Sequence, residues 1–105
     1  MTKHGWKVLN PFRYSVLTLP PWGLIYPPRT WVRQPKDQGP LCVFSERSLA
    51  LDFIKNVSGQ LNSIIIPCKY IPSPERHIWF TEFYSHPLDF CPKGTALASA
   101  VFCLS

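Results

Sequence analysis

The chain has 105 residues, of which 46% are hydrophobic, 14% aromatic and 16% charged, with a formal net charge of +5. That length fits one domain over residues 1–105, and the apolar share is high enough for a core and too high for a disordered chain. Twelve prolines exclude long uninterrupted helices, and no stretch reaches the roughly twenty apolar residues of a membrane-spanning helix, so no membrane partner is expected.

The opening "MTKHGWKVLNPF" lacks the apolar block of a secretory signal, because Asn10 and Pro11 interrupt it. Residues 1–11 are expected to fray, and a cytoplasmic protein (host cytoplasm if viral) is the default. "FRYSVLTL" (12–19) alternates with a period of two and predicts a strand. Pro20-Pro21 ends it, and "PPWG" supplies a turn at Gly23. "GLIYPP" is a short extended piece. "RTWVRQ" (29–34) predicts an edge strand with Thr30 and Val32 opposing Trp31 and Arg33, and "PKDQGP" is a loop.

"LCVF" (41–44) has the short apolar character of a buried strand. Beyond it, Leu49, Ala50, Phe53, Ile54 and Val57 follow the spacing of one helical face, predicting a helix over about residues 46–57. Ser45 stands where an N-cap belongs, Glu46 complements the positive end of the helix dipole, and Gly59 is placed to close the helix. Leu51 is then the exposed exception. "SIIIPCKYI" (63–71) is strongly strand-like, with Pro67 expected at a sheet edge or bulge. Residues 72–94 read as a long irregular excursion, in which "HIWFTEFY" has the makings of a further strand. "TALASAVFCL" (95–104) predicts a closing strand whose alanines allow a helix to pack closely. The sum is an α+β fold, a small, mostly antiparallel, twisted sheet with one principal helix.

Candidate chemistry is sparse. The four cysteines, Cys42, Cys68, Cys91 and Cys103, form no C-x-x-C pair, and three lie in apolar stretches where a free thiol behaves as a small hydrophobe. Cys91 with His86 is the nearest approach to a nucleophile and base, with His4 and His77 as other bases. His77, Glu82, His86 and Asp89 share one loop but lack the paired spacing of a zinc site, so no metal is expected. There is no phosphate-binding glycine motif, and no cofactor is expected. Asn56-Val57-Ser58 formally matches a glycosylation acceptor, which means little without a secretory segment.

Charge is the sharper signal. Lys3, Lys7, Arg13, Arg29, Arg33 and Lys36 face only Asp37 in the first forty positions, whereas five basic residues balance five acidic ones beyond them. Tyr14, Tyr26 and Trp31 are interleaved with this charge. Tryptophan, tyrosine and arginine dominate protein interfaces, so Arg13, Arg29, Trp31, Arg33 and Lys36 are the candidate partner-binding residues for a protein with an acidic surface. Arg33 and Lys36 would steer that partner, and Trp31 would supply the desolvated contact. The same mixture suits single-stranded nucleic acid, where rings stack on bases and cations neutralise phosphates. In the plainest reading the rings are core and the charges a solvated rim.

The succession "FRYSVLT", "YPPRTWVR", "GPLCVFSERSLALDFIKN", "SIIIPCKYIP" and "KGTALASAVFCL" resembles small bacteriophage and prokaryotic proteins built as reduced, catalytically degenerate ADP-ribosyltransferase-like folds. Active members of that fold carry an Arg or His on an early strand, a Ser or Tyr in the middle and a Glu on a late strand. The resemblance gives Arg13 the first role and Ser45 the second. The third is empty, because the closing strand has no carboxylate and Glu75 and Glu82 lie in the excursion. Without that Glu the nicotinamide-ribose hydroxyl has no anchor. The resemblance therefore implies a non-catalytic accessory or inhibitor protein on an enzyme-like frame, with an ADP-ribosyltransferase-like enzyme or nucleotide binder as the alternative.

Overall fold

The computed structural model describes residues 1–15, 24–58, 62–80 and 84–105. Its strands are β1 (Lys3–Leu9), β2 (Trp31–Arg33), β3 (Leu41–Phe44), β4 (Ile64–Pro72), β5 (His77–Phe80), β6 (Tyr84–Pro87) and β7 (Thr95–Cys103). One helix, α1 (Arg47–Phe53), follows β3 and runs into a π-helical turn over Ile54–Ser58. The fold is thus α+β with antiparallel pairing, as the sequence predicts.

The sheet is closed, not the open twisted layer expected from the sequence. β1 pairs with β3, β3 with β7, β7 with β4, and β4 returns to β1. β2 lies on the same edge of β7 as β3 does, opposite Ala100 to Phe102 where β3 is opposite Thr95 to Ala98. Closure removes open edges that would otherwise recruit other chains. Its register fixes which side chains point inward. Leu9, Leu41, Val43, Cys68, Tyr70, Ala98, Val101 and Cys103 form the inner core, with Tyr26 inserted among them. Ala96 and Ala98 thus serve the narrow barrel interior rather than the helix. Gly5 belongs to the same economy of space, because a Cβ there would meet the Phe44 carbonyl and the Tyr70 ring at 2.9 Å.

The outward side chains of β1, β3 and the start of β7 form a second core. Val8, Cys42, Phe44 and Leu97 pack with Ala50 and Phe53 of α1, and Trp6, Leu49 and Ile54 border them. The Phe44 and Phe53 rings lie 5.4 Å apart. Burying a phenylalanine contributes roughly 1.5–3 kcal/mol, enough to seat a helix this short, which would be marginal alone. Of the helical face predicted from the sequence, Ala50 and Phe53 are buried, and Leu49 and Ile54 pack partly buried against them. Its cap is different: the N-cap residue is Glu46 without a side-chain capping bond, and Ser45 Oγ instead bonds the Gly94 carbonyl at 3.3 Å. Leu51 is half-buried rather than exposed, and the expected closure at Gly59 lies outside the described residues.

Two further expectations are corrected. Lys3–Leu9 is a central barrel strand, not a frayed end. Phe12 and Arg13 do not begin a strand. Asn10 starts a turn there, its Oδ1 accepting from the Phe12 and Tyr14 amides and its carbonyl from the Arg13 amide, with Arg13 at φ 69°. Of the predicted strand, Tyr14 and Ser15 make single bridges, to Ile25 and Leu9. Val16 to Leu19, the Pro20-Pro21 stop and the Gly23 turn lie outside the described residues.

The excursion is less irregular than its composition suggests. β5 and β6 pair as a two-stranded ladder, followed by a 3-10 turn at Leu88–Phe90. Pro67 sits opposite Trp6 and accepts from the Leu104 amide at 2.9 Å, so its missing donor falls just past the end of β7. That placement meets the edge condition proline imposes.

Candidate functional site

The helix covers one side of the barrel, and the opposite side carries most of the candidate residues. In β2, Val32 points inward against Val101, which leaves Trp31 and Arg33 facing out. Trp31 stays 38% exposed while resting on Phe102 with ring centroids 5.3 Å apart. Phe102 is opposite Lys69 of β4, and Lys69 is opposite His4 of β1. Directly opposed residues project on the same face, so Trp31, Phe102, Lys69 and His4 form one row across four strands. Arg33, opposite Ala100, stands in the adjacent row with Ile71.

The remaining candidates are distributed unevenly. Arg29, exposed and at φ 55°, donates its amide to the Cys103 carbonyl at 2.8 Å, placing it beside the end of β7. Lys36 is exposed in the turn beyond β2 that the Gln38 amide closes onto the Pro35 carbonyl. Arg13 is a structural brace. Its Nε donates to the Tyr26 carbonyl and its Nη2 to the Ser105 carbonyl, both at 2.7 Å. Tyr26 returns an amide bond to the Arg13 carbonyl at 2.8 Å, so guanidinium and backbone together fasten Tyr26 into the barrel.

Lys7 does not add to the surface charge at all. It is 1% exposed, the one buried polar or charged side chain among the described residues. Its Nζ donates to the Cys42 carbonyl at 2.6 Å and to Ser15 Oγ at 3.2 Å, and lies 4.6 Å from the centroid of the Tyr26 ring. Burial drives its pKa down toward the neutral amine. The same desolvation raises the thiols, Cys42 to about 11 and Cys68 to about 12, and pushes Tyr26 upward as well. All four cysteines are free. A protonated thiol is a poor nucleophile while the barrel stays closed over it.

The other sequence candidates are not gathered into a site. Cys91 Sγ lies 3.7 Å from the Pro87 carbonyl, and the His86 ring packs edge-on against Phe90. Asp89 pairs with Arg76 at 3.6 Å on the surface, and Glu82 lies outside the described residues. No cluster of three metal-ligating side chains occurs among the described residues. Arg13 and Ser45 stand at opposite ends of β7, the first braced beyond Cys103 and the second on Gly94. Glu75 has both carboxylate oxygens engaged, accepting from Trp79 Nε1 at 2.8 Å and Gln34 Nε2 at 3.2 Å. A mostly apolar cleft of about 160 Å³, lined by Leu49, Asp52, Phe53, Asn56, Pro92 and Lys93, is smaller than the few hundred Å³ typical of ligand sites.

Lys69 and Phe102 were not among the sequence candidates. The signal for Lys69 was a single charge between Cys68 and Tyr70 in an otherwise apolar strand, which puts the cation outward when its neighbours point inward. Among the described residues no helix is long and apolar enough to cross a membrane. Comparison of the chain with family models, with curated proteins and with solved structures returns no match, so the residues themselves carry the functional reading.

Proposed function

We propose that this protein is a non-catalytic binding protein that docks a protein partner with an acidic surface through the outer face of β2, β7 and β4. The observation that carries the reading is the exposed Trp31 ring resting on Phe102, with Arg33 on the same side of β2 and Lys69 across β7. A large ring held at a fixed angle loses little entropy on binding, and cations at its margin speed encounter with an acidic surface and select for it. Arg29 and Lys36 extend the positive margin at either end of β2, whereas Arg13 acts by holding Tyr26. An accessory or inhibitory role of the phage or prokaryotic kind is the extension that the sequence resemblance suggests.

Affinity capture from a cell lysate tests it, using the wild-type chain, Trp31→Ala and the double variant Arg29→Ala/Arg33→Ala, with and without nuclease. A protein retained after nuclease treatment, released by added salt and lost with both variants supports the proposal. Capture that both variants leave undiminished sinks it. Capture that nuclease abolishes assigns the face to nucleic acid instead, with affinity falling steeply as salt rises.

A further inference from the structure

Cys68 of β4 and Cys103 of β7 are directly opposed across an antiparallel ladder, and both point into the barrel. The next pair outward is Pro67 with Leu104, and the Leu104 amide donates to the Pro67 carbonyl at 2.9 Å. Antiparallel pairs alternate, so Cys68 and Cys103 occupy a non-hydrogen-bonded position, where facing Cα atoms come to about 4.5 Å. That spacing falls within the range a disulfide spans, about 4.4–6.8 Å. No side chain intervenes between directly opposed residues on one face. We propose that Cys68 and Cys103 are a reversible redox pair, whose disulfide clasps β4 to β7 and locks the seam that closes the barrel.

The chemistry balances with a peroxide as oxidant. The Cys103 thiol gives up its proton, and the thiolate attacks one peroxide oxygen, breaking the O–O bond to leave a sulfenic acid and a hydroxide that takes up that proton and departs as water. The Cys68 thiolate then attacks the sulfenic sulfur and expels a second water, so two thiols and one hydrogen peroxide become one disulfide and two waters. Cys103 is the first nucleophile for a structural reason. It is the last residue of β7, retained by the Arg29 and Leu104 amide bonds, whereas Cys68 lies inside β4 between two partner strands. Lys7 and Arg13 also favour its thiolate, although burial keeps its pKa raised. Oxidation therefore proceeds through opening at the end of β7, and the finished bond opposes that same opening. This inference is independent of the partner-binding reading.

The test uses the full chain carrying Cys91→Ser, which removes the one partly exposed thiol. The folded protein is treated with hydrogen peroxide, unfolded, alkylated and mapped by mass spectrometry before and after dithiothreitol. The expected result is a linked pair of peptides containing Cys68 and Cys103, a mass lower by two hydrogens, a higher melting temperature, and reversal of all three by dithiothreitol. Cys103→Ala should abolish the linked species while Cys42→Ala retains it. The proposal is overturned if both cysteines remain alkylatable after peroxide, if Cys103 goes to sulfinic acid without linking, or if the bond joins Cys42. Mapping of the parent chain decides the matter even where a variant fails to fold.

Discussion

Lys7 Nζ reaches the carbonyl of Cys42 at 2.6 Å, filling a place where a backbone amide would be expected. The Ser45 amide bonds Gly94 of β7, so by alternation the polar groups of Cys42 and Phe44 face β1 instead. Yet β1 and β3 share only the register pair Trp6 with Phe44, and the strands separate beyond it. The amine spans that gap from inside the barrel. Burial depresses its pKa below the ordinary lysine value of 10.5. The unfolded chain therefore binds the extra proton between the folded pKa and 10.5, and this group's contribution to stability rises with pH across that window, by at most about 1.4 kcal/mol per pH unit. Lys7→Met removes the term and leaves the Cys42 carbonyl unpaired, a cost of about 1–3 kcal/mol. The stability of the variant relative to wild type should accordingly fall as pH rises from 7 to 10. Urea denaturation at several pH values checks it, and a pH-independent difference would contradict the assigned burial.

The thiols impose the opposite slope. Cys42 is pushed up to about 11 and Cys68 to about 12, against an ordinary value of 9.0, and burial is the main cause in both. The folded state keeps protons that the unfolded chain releases above 9.0. Their stabilisation is complete below that value and is lost as pH climbs toward 11 and 12. Several thiols acting together exceed one lysine, so the wild-type chain should lose stability above pH 9. Cys68→Ala should flatten the loss under reducing conditions, despite a lower midpoint at pH 8 from the small cavity it leaves. An alkaline limb as steep as wild type in that variant would show that Cys68 is not among the groups responsible.

Glu75 fastens the β5–β6 ladder to the connection between β2 and β3. One oxygen accepts from Trp79 and the other from Gln34, while the Gly39 amide bonds the Trp79 carbonyl at 2.7 Å. Bonds to a charged acceptor contribute about 1.5–3 kcal/mol each when sheltered, and less where water competes. Glu75→Ala should lower stability by about 1–2 kcal/mol and accelerate hydrogen exchange at the Gly39 amide, with Glu75→Gln intermediate because it retains one acceptor. Unchanged exchange at Gly39 would mean that the ladder is held by its apolar contacts, chiefly the buried Ile78.

How much of this was legible in the sequence follows from how local each signal is. β3, β4, β7 and the buried face of α1 announce themselves through runs and periodicities of neighbouring residues. β1 does not, because its inward positions hold Gly5 and Lys7, and only the closed barrel makes a lysine an interior residue. Asn10-Pro11 was a readable turn signal that the alternation of residues 12–19 outweighed. Closure itself depends on β4 meeting β7 far along the chain, and no local pattern encodes that register. The candidate face divides in the same way. Trp31 and Arg33 were readable from their alternation with Val32, whereas Phe102 and Lys69 join them only through the pairing of three strands. Counting Lys7 and Arg13 as surface charge overlooked that one fills a gap in the ladder and the other braces Tyr26.

Gly94 tests the junction between the barrel and the helix. It has φ +88°, and an added Cβ would lie 2.5 Å from Leu49 Cδ1 and 2.8 Å from Leu49 Cβ. Its carbonyl also receives the Ser45 amide at 2.9 Å, just before α1 begins. Gly94→Ala therefore meets two separate penalties. Backbone strain at positive φ costs about 1–3 kcal/mol, and the clash with Leu49 pushes α1, with its Phe53 ring, away from Phe44. Leu49→Ala removes the Cδ1 part of the second penalty while its Cβ stays, and it leaves the first untouched. In a double-mutant cycle the pair should be less destabilised than the sum of the two single variants, with a favourable coupling of at least about 0.5 kcal/mol. Strict additivity, measured by chemical denaturation, would leave backbone strain as the whole effect and would remove Leu49 as the contact through which Gly94 positions the helix.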